Sequence, residues 1–144
     1  MMIDQGIAVT AVHFTSPFCN CTSKKAGCKH QAVKIAHEFG IPVRVIHKGM
    51  DYMRIVENPP HGYGRGLNPC IDCRIYMLKK VKAMMVDIGA SFIITGEVLG
   101  QRPMSQHRVA IRKIEKESGL EGLILRPLSA KHFSPTIPEQ EGIV

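Results

Sequence analysis

A chain of 144 residues, 44% hydrophobic and 22% charged, has the length of one globular domain with a real core. No apolar run approaches the roughly 20 residues of a spanning helix, which argues against a helical membrane protein. The formal charge of +7 fits a polyanionic partner such as nucleic acid, and it equally fits a basic enzyme without one.

The start, Met1-Met2-Ile3-Asp4, lacks the basic and apolar segments of a signal peptide, so a cytoplasmic location is expected. Residues 7–14, IAVTAVHF, are rich in β-branched side chains and predict a buried strand ending at Thr15-Ser16-Pro17. A cysteine-rich loop follows over 18–29. Ala32, Ile35, Ala36 and Phe39 then recur at helical spacing, and Gly40 stops that helix. Pro42 leads into a second strand over 43–47. MDYMRIVEN (50–58) predicts a helical turn or two. Pro59-Pro60-His61-Gly62-Tyr63-Gly64-Arg65-Gly66 cannot be regular, and such a segment in a compact domain is usually functional or disordered.

After Asn68-Pro69, the residues Ile71, Ile75, Leu78, Val81, Met85 and Ile88 mark one face of a helix ending at Gly89. Met77, Met84 and Met85 on it read as core or gap fillers. A third strand is expected over 90–95, a weaker helix from about 105 to 117 closed by Gly119, and a fourth strand over 122–125. Residues 134–144 show no periodicity and read as a tail. The order β-α-β-α-β-α-β predicts an α/β fold, a parallel sheet with helices on both faces.

Five cysteines in a cytoplasmic chain suggest metal ligands or redox-active thiols rather than disulfides. Cys70 and Cys73 (CIDC) lie three apart at a helix start, where thiolates are generally favoured. They fit two ligands of an iron–sulfur cluster or zinc, a dithiol that passes sulfur as a persulfide, or small inert core residues. Cys19, Cys21 and Cys28 (CNC-x6-C) share a loop with Lys24 and Lys25. With His30 they could hold a metal, one of them could complete a site begun by Cys70 and Cys73, or they are reduced loop thiols. His13, at a strand end, is by default a structural histidine; His37, His47 and His132 read as surface or supporting groups. There is no Ser/His/Asp arrangement, no carboxylate pair requiring an acid–base role, and no glycine-rich phosphate loop of the Walker or Rossmann kind.

Residues 91–106, SFIITGEVLGQRPMSQ, run from strand through loop to helix start. In open α/β sheets ligands sit at the carboxyl ends of strands. This loop offers Gly96, the Glu97 carboxylate, the amides of Gln101 and Gln106, Arg102 and Ser105.

AVHFTSP (11–17), TGEVLGQRPMSQ (95–106) and RPLS (126–129) resemble the PP-loop ATP pyrophosphatase core of the tRNA 4-thiouridine synthases and related tRNA sulfurtransferases. The resemblance covers roughly residues 5–131; NPCIDC is closer to a thiouridylase-like subgroup, and it is similar to the CxxC that holds an iron–sulfur cluster in the 2-thiolating tRNA enzymes. It implies an adenine nucleotide alpha hydrolase-like (Rossmann-like) fold and ATP- and Mg²⁺-dependent adenylation of a tRNA uridine, with sulfur then displacing AMP. The implied partners are tRNA and a sulfur donor protein, a cysteine desulfurase or sulfur carrier, and a homodimer is allowed. By the same resemblance, His13, Phe14, Arg74, Gly96 and Gln106 lie at the nucleotide. Cys70 and Cys73 are the sulfur residues, or with Cys19, Cys21 and Cys28 the ligands of a 4Fe-4S cluster or zinc.

The family's first strand and its SGGxDS phosphate loop have no counterpart in this sequence. The expectation is therefore a partial PP-loop domain over 1–133 that lacks its first strand, a tail over 134–144 leading toward a missing segment, and no ATP hydrolysis by this chain alone. The rival expectations are a non-catalytic cluster- or zinc-binding module, and a superfamily enzyme adenylating a small molecule of the thiamin or queuosine kind.

Overall fold

The computed structural model describes residues 2–18, 31–64 and 66–144. Two compact units divide the chain, Met1–Met53 and Arg54–Val144.

In the first unit a 3-10 turn (Ile3–Gln5) precedes β1 (Ala11–Thr15), α1 (Gln31–Glu38) and β2 (Val43–His47). β1 and β2 pair in parallel, Ala11 opposite Val43 and Thr15 opposite His47. Parallel neighbours require a crossover, and α1 supplies it, touching both strands. β1 is shorter than the predicted 7–14. Its first ladder bond runs from Ala11 N–H to the Pro42 carbonyl, at 2.8 Å. Pro42 has no N–H to extend the ladder and Gly40 turns the chain with φ +66°, so residues 7–10 have no partner strand among the described residues. At the carboxyl end Thr15 Oγ1 meets His47 Nδ1 at 2.5 Å. Helix α2 (Met50–Glu57) lies across the division between the units.

The second unit contains α3 (Cys70–Ile88), β3 (Ile93–Ile94), α4 (Arg108–Ser118), β4 (Ile124–Leu125), a 3-10 helix (Pro127–His132) and α5 (Ile137–Gln140). Its core is Met85, Leu120 and Ile124, with Leu78, Val81, Ala90, Ile93 and Leu123 packed against them. Fully burying a side chain such as Leu120 or Ile124 contributes about 1.5–3 kcal/mol. The predicted apolar face of α3 is therefore the one that meets the core. Gly89 and Gly119, with φ 65° and 68°, end α3 and α4 in the left-handed conformation that disfavours other residues.

The α/β class and the parallel pairing expected from the sequence are both present. The described strands form two two-stranded ladders, β1–β2 and β3–β4, rather than one longer sheet. β4 is confined between Gly122, at φ +72°, and the Arg126-Pro127 entry to the 3-10 helix. β3 can pair only over that length, with Ile93 opposite Ile124 and Ile94 opposite Leu125.

Residues 134–144 lack periodicity in sequence yet carry a built element. The Glu139 carboxylate accepts from the Thr136 N–H and hydroxyl, both at 2.6 Å, capping α5. Pro138 is fully buried, and Ile137 N–H bonds the Gly122 carbonyl at 2.9 Å. Among the described residues no helix is long and apolar enough to cross a membrane.

Candidate functional site

The second unit joins two irregular segments to the start of α3. Asn68 is the first junction: its carbonyl accepts from Gly64 N–H (2.8 Å) and Cys70 N–H (2.9 Å). Leu67 before it is held at φ +56°, a conformation that costs an L-residue roughly 1–2 kcal/mol. Cys70 and Cys73 follow on the first turns of α3, half-buried and not joined in a disulfide.

Asp72 lies between them in sequence and is only 6% exposed. Its carboxylate accepts the His61 backbone N–H (3.0 Å) and meets His61 Nδ1 at 2.7 Å. The other ring nitrogen, Nε2, lies 3.0 Å from Glu117 Oε1. Carboxylates accept only, so these two contacts favour the ring with a proton on each nitrogen. The hydrogen bond to Asp72 chiefly, with Glu117 assisting, raises the His61 pKa above 6.5 against the opposing effect of burial. Tyr63 ties the same segment down by donating to the Val56 and Glu57 carbonyls at 2.6 and 2.7 Å. Residues 59–64 are thus irregular in backbone and held by the side chains of His61 and Tyr63.

Glu97, at the end of β3, is the second junction. It is 7% exposed, and it meets Arg74 Nη2 at 2.9 Å and Arg126 Nε at 3.0 Å. Thr95 Oγ1 donates to the same carboxylate at 3.3 Å. Arg126, 5% exposed, also pairs with Glu115 of α4. Ser129 secures the loop backbone, accepting from Leu99 N–H (2.9 Å) and donating to the Glu97 carbonyl (3.4 Å). The RPLS motif therefore braces the TGE loop from beneath.

The loop closes on itself where Gly100 N–H donates to the Gln106 carbonyl at 2.7 Å. Met104 packs against Gly64, where a Cβ would overlap its sulfur, so this loop and the Pro59–Gly66 segment touch. The Gln106 side chain is 4% exposed, and its Oε1 has no hydrogen-bond partner. A buried carbonyl oxygen without a donor costs about 1–3 kcal/mol. Nothing lies within 4 Å of where a Cβ on Gly96 would stand.

The sequence-predicted residues are thus distributed unevenly. Cys70, Cys73 and Arg74 share the first turns of α3, and the Arg74–Glu97 ion pair ties them to the loop of Gly96 and Gln106. His13 and Phe14 lie on β1 in the first unit, half-buried. Cys19, Cys21 and Cys28 fall outside the described residues.

Sequence reasoning missed His61 and Asp72, and it quoted Arg126 and Ser129 within RPLS without giving either a role. An aspartate inside a CxxC and an arginine directly after a buried strand were the available signals. The pairing of His61 with Asp72 had none, because it spans an irregular loop.

Among the described residues no group of three or more His, Cys, Asp or Glu could hold a metal ion. Cys70 and Cys73 alone do not make up the at least three protein ligands that a cluster or zinc takes. Glu97, with both oxygens on guanidinium groups, is not disposed to hold Mg²⁺. An adenine nucleotide fits better: Gln106 Oε1 has a lone pair for a donor N–H, and the backbone at Gly96 is open to close approach.

A family described as ThiI, thiamine biosynthesis protein, matches residues 1–132. No curated protein and no solved structure matches the chain.

Proposed function

Since the chain belongs to the ThiI family, whose members are ATP-dependent and act in tRNA thiolation and thiamine biosynthesis, we propose that it is a tRNA sulfurtransferase domain of thiouridine synthesis. The observation that carries this reading is the Arg74–Glu97 ion pair, 2.9 Å long. It fastens the helix of the two cysteines to the loop that would receive the nucleotide.

The roles divide along that pair. Glu97 orients the Arg74 guanidinium, whose remaining N–H groups can take a phosphate. Gln106 Oε1 accepts from the adenine amino group, and Gly96 lets the nucleotide approach the backbone. ATP activates the uridine oxygen as its adenylate, the α-phosphorus losing pyrophosphate as the new O–P bond forms. One of Cys70 and Cys73 carries sulfur as a persulfide, whose terminal sulfur attacks the activated carbon while the C–O bond breaks and AMP departs. The second thiolate then attacks the carrier cysteine's sulfur. That closes a Cys70–Cys73 disulfide, which an external thiol reduces, and releases the thiouridine. A cysteine desulfurase or sulfur carrier is the proposed source of the persulfide. The formal charge of +7 is compatible with tRNA as the acceptor.

Nucleotide binding tests the site. In calorimetry Gln106→Leu weakens ATP and AMP alike, by about tenfold or about 1.4 kcal/mol. Arg74→Ala weakens ATP more than AMP. Equal ATP affinity in wild type and Gln106→Leu would remove the nucleotide from this loop. Loss of co-purifying tRNA with rising salt separates the tRNA reading from the small-molecule one.

A further inference from the structure

The charges on α4 divide by direction. Glu115 turns inward to the buried Arg126, while Glu117 meets His61 from an exposed position. Its cations Arg112, Lys113 and Lys116 stay exposed, and among the described residues none of them has an ion-pair partner. Arg112 and Lys116 are one turn apart and Lys113 adjoins both, so the three ammonium and guanidinium groups share one surface. They line an open groove of 610 Å³ together with Glu115, Glu117 and Glu121.

That arrangement works against the helix. Like charges at i,i+4 destabilise it by about 0.2–0.5 kcal/mol per pair. Glu115 and Glu117 are engaged by Arg126 and His61, which leaves Glu121 as the groove carboxylate that offsets one of the three cations. One turn earlier Arg108, also exposed, stacks over Phe133 at 5.7 Å and extends the basic face to the helix start, two residues after Gln106. A row of exposed cations beginning beside a ligand loop is complementary to a polyanion whose reacting part lies in that loop.

We propose that the exposed face of α4, centred on Arg112, Lys113 and Lys116, binds the phosphate backbone of the RNA substrate without reading its sequence. Point-charge contacts of this kind position a nucleic acid rather than specify it. The proposal rests on the tRNA reading above and adds the surface that the RNA occupies.

The test is binding of an unmodified tRNA transcript to the full chain, across about 50–200 mM salt. The variant is Arg112→Gln/Lys113→Gln/Lys116→Gln. The control, Lys34→Gln/Arg44→Gln/Arg54→Gln, removes the same charge from exposed positions elsewhere. Each phosphate that the protein no longer neutralises makes the slope of log K against log salt shallower by roughly 0.7–0.9. The α4 variant should therefore show a slope shallower by about two and affinity down at least about tenfold at the low-salt end. Its thermal midpoint should not fall, because like-charge repulsion is relieved and glutamine is a good helix former.

If the α4 variant and the control bind alike, the surface assignment is overturned and the tRNA reading stands. If the wild-type chain binds no tRNA, both fall together. If polyglutamate displaces an α4-bound probe as well as the transcript does, the face takes acidic polypeptide and the RNA assignment is overturned.

Discussion

Glu97→Ala is expected to lower folding stability by about 3–5 kcal/mol, read as a fall in the urea midpoint with little change in slope. The size follows from what remains behind. Arg126 is 5% exposed and cannot reach water when its partner is removed. A buried charge stripped of its counter-charge costs far more than the pair itself contributed. Glu115 still holds one edge of that guanidinium, which keeps the loss at the lower end of the range. Domains of this size have only about 5–15 kcal/mol in total, so Glu97→Gln serves as the milder second variant.

A double-mutant cycle apportions the effect. Glu97 should couple strongly to Arg126. It should couple only weakly to Arg74, whose side chain is 32% exposed and keeps solvent as an alternative partner. A loss below about 1 kcal/mol for Glu97→Ala would show that the network is not a structural junction.

The second large effect concerns His61 and depends on pH. Its pKa is raised in the folded chain by Asp72 and Glu117, above the ordinary value of 6.5. A group raised in this way contributes stability that is fully present below the unfolded value. The contribution is lost as pH rises through the folded one. His61→Gln should therefore cost about 1.5–3 kcal/mol in mildly acidic solution, the usual loss for hydrogen bonds to charged groups. At alkaline pH, where wild type has itself lost the imidazolium, the gap should narrow.

Thermal midpoints of the two proteins across that range decide it. Parallel curves would mean that the imidazole is neutral throughout and that the anchoring is steric. Hydrogen exchange should report the same loss locally, in the Pro59–Gly66 segment, since His61 and Tyr63 are what hold it.

The uneven legibility of this chain has a physical cause. Helix α3 could be read from Ile75, Leu78, Val81 and Met85, because helical periodicity and the glycine at position 89 are local signals. β2 and the end of α4 at Gly119 were readable for the same reason. The strands were overestimated because ladder length is set by the partner: Pro42 truncates β1, and Gly122 with Pro127 truncates β3. α5 was missed because four residues cannot show a period, although Thr136 and Glu139 carried its cap.

The candidate site divides along the same line. The cysteine pair, Arg74, Gly96 and Gln106 stood out through short motifs. The inward turn of Glu97 did not, nor did the enclosure of His61. Glu97 meets Arg126 across 29 residues and His61 meets Glu117 across 56. Burial is a property of the packed chain, and it turned an apparent ligand carboxylate into a brace and an apparent loop histidine into an anchor. Local pattern was enough for the α/β class, and the resemblance carried by AVHFTSP, TGEVLGQRPMSQ and RPLS was enough for the family. Which polar groups face inward to hold the frame, and which are left facing outward for a substrate, depended on tertiary packing alone.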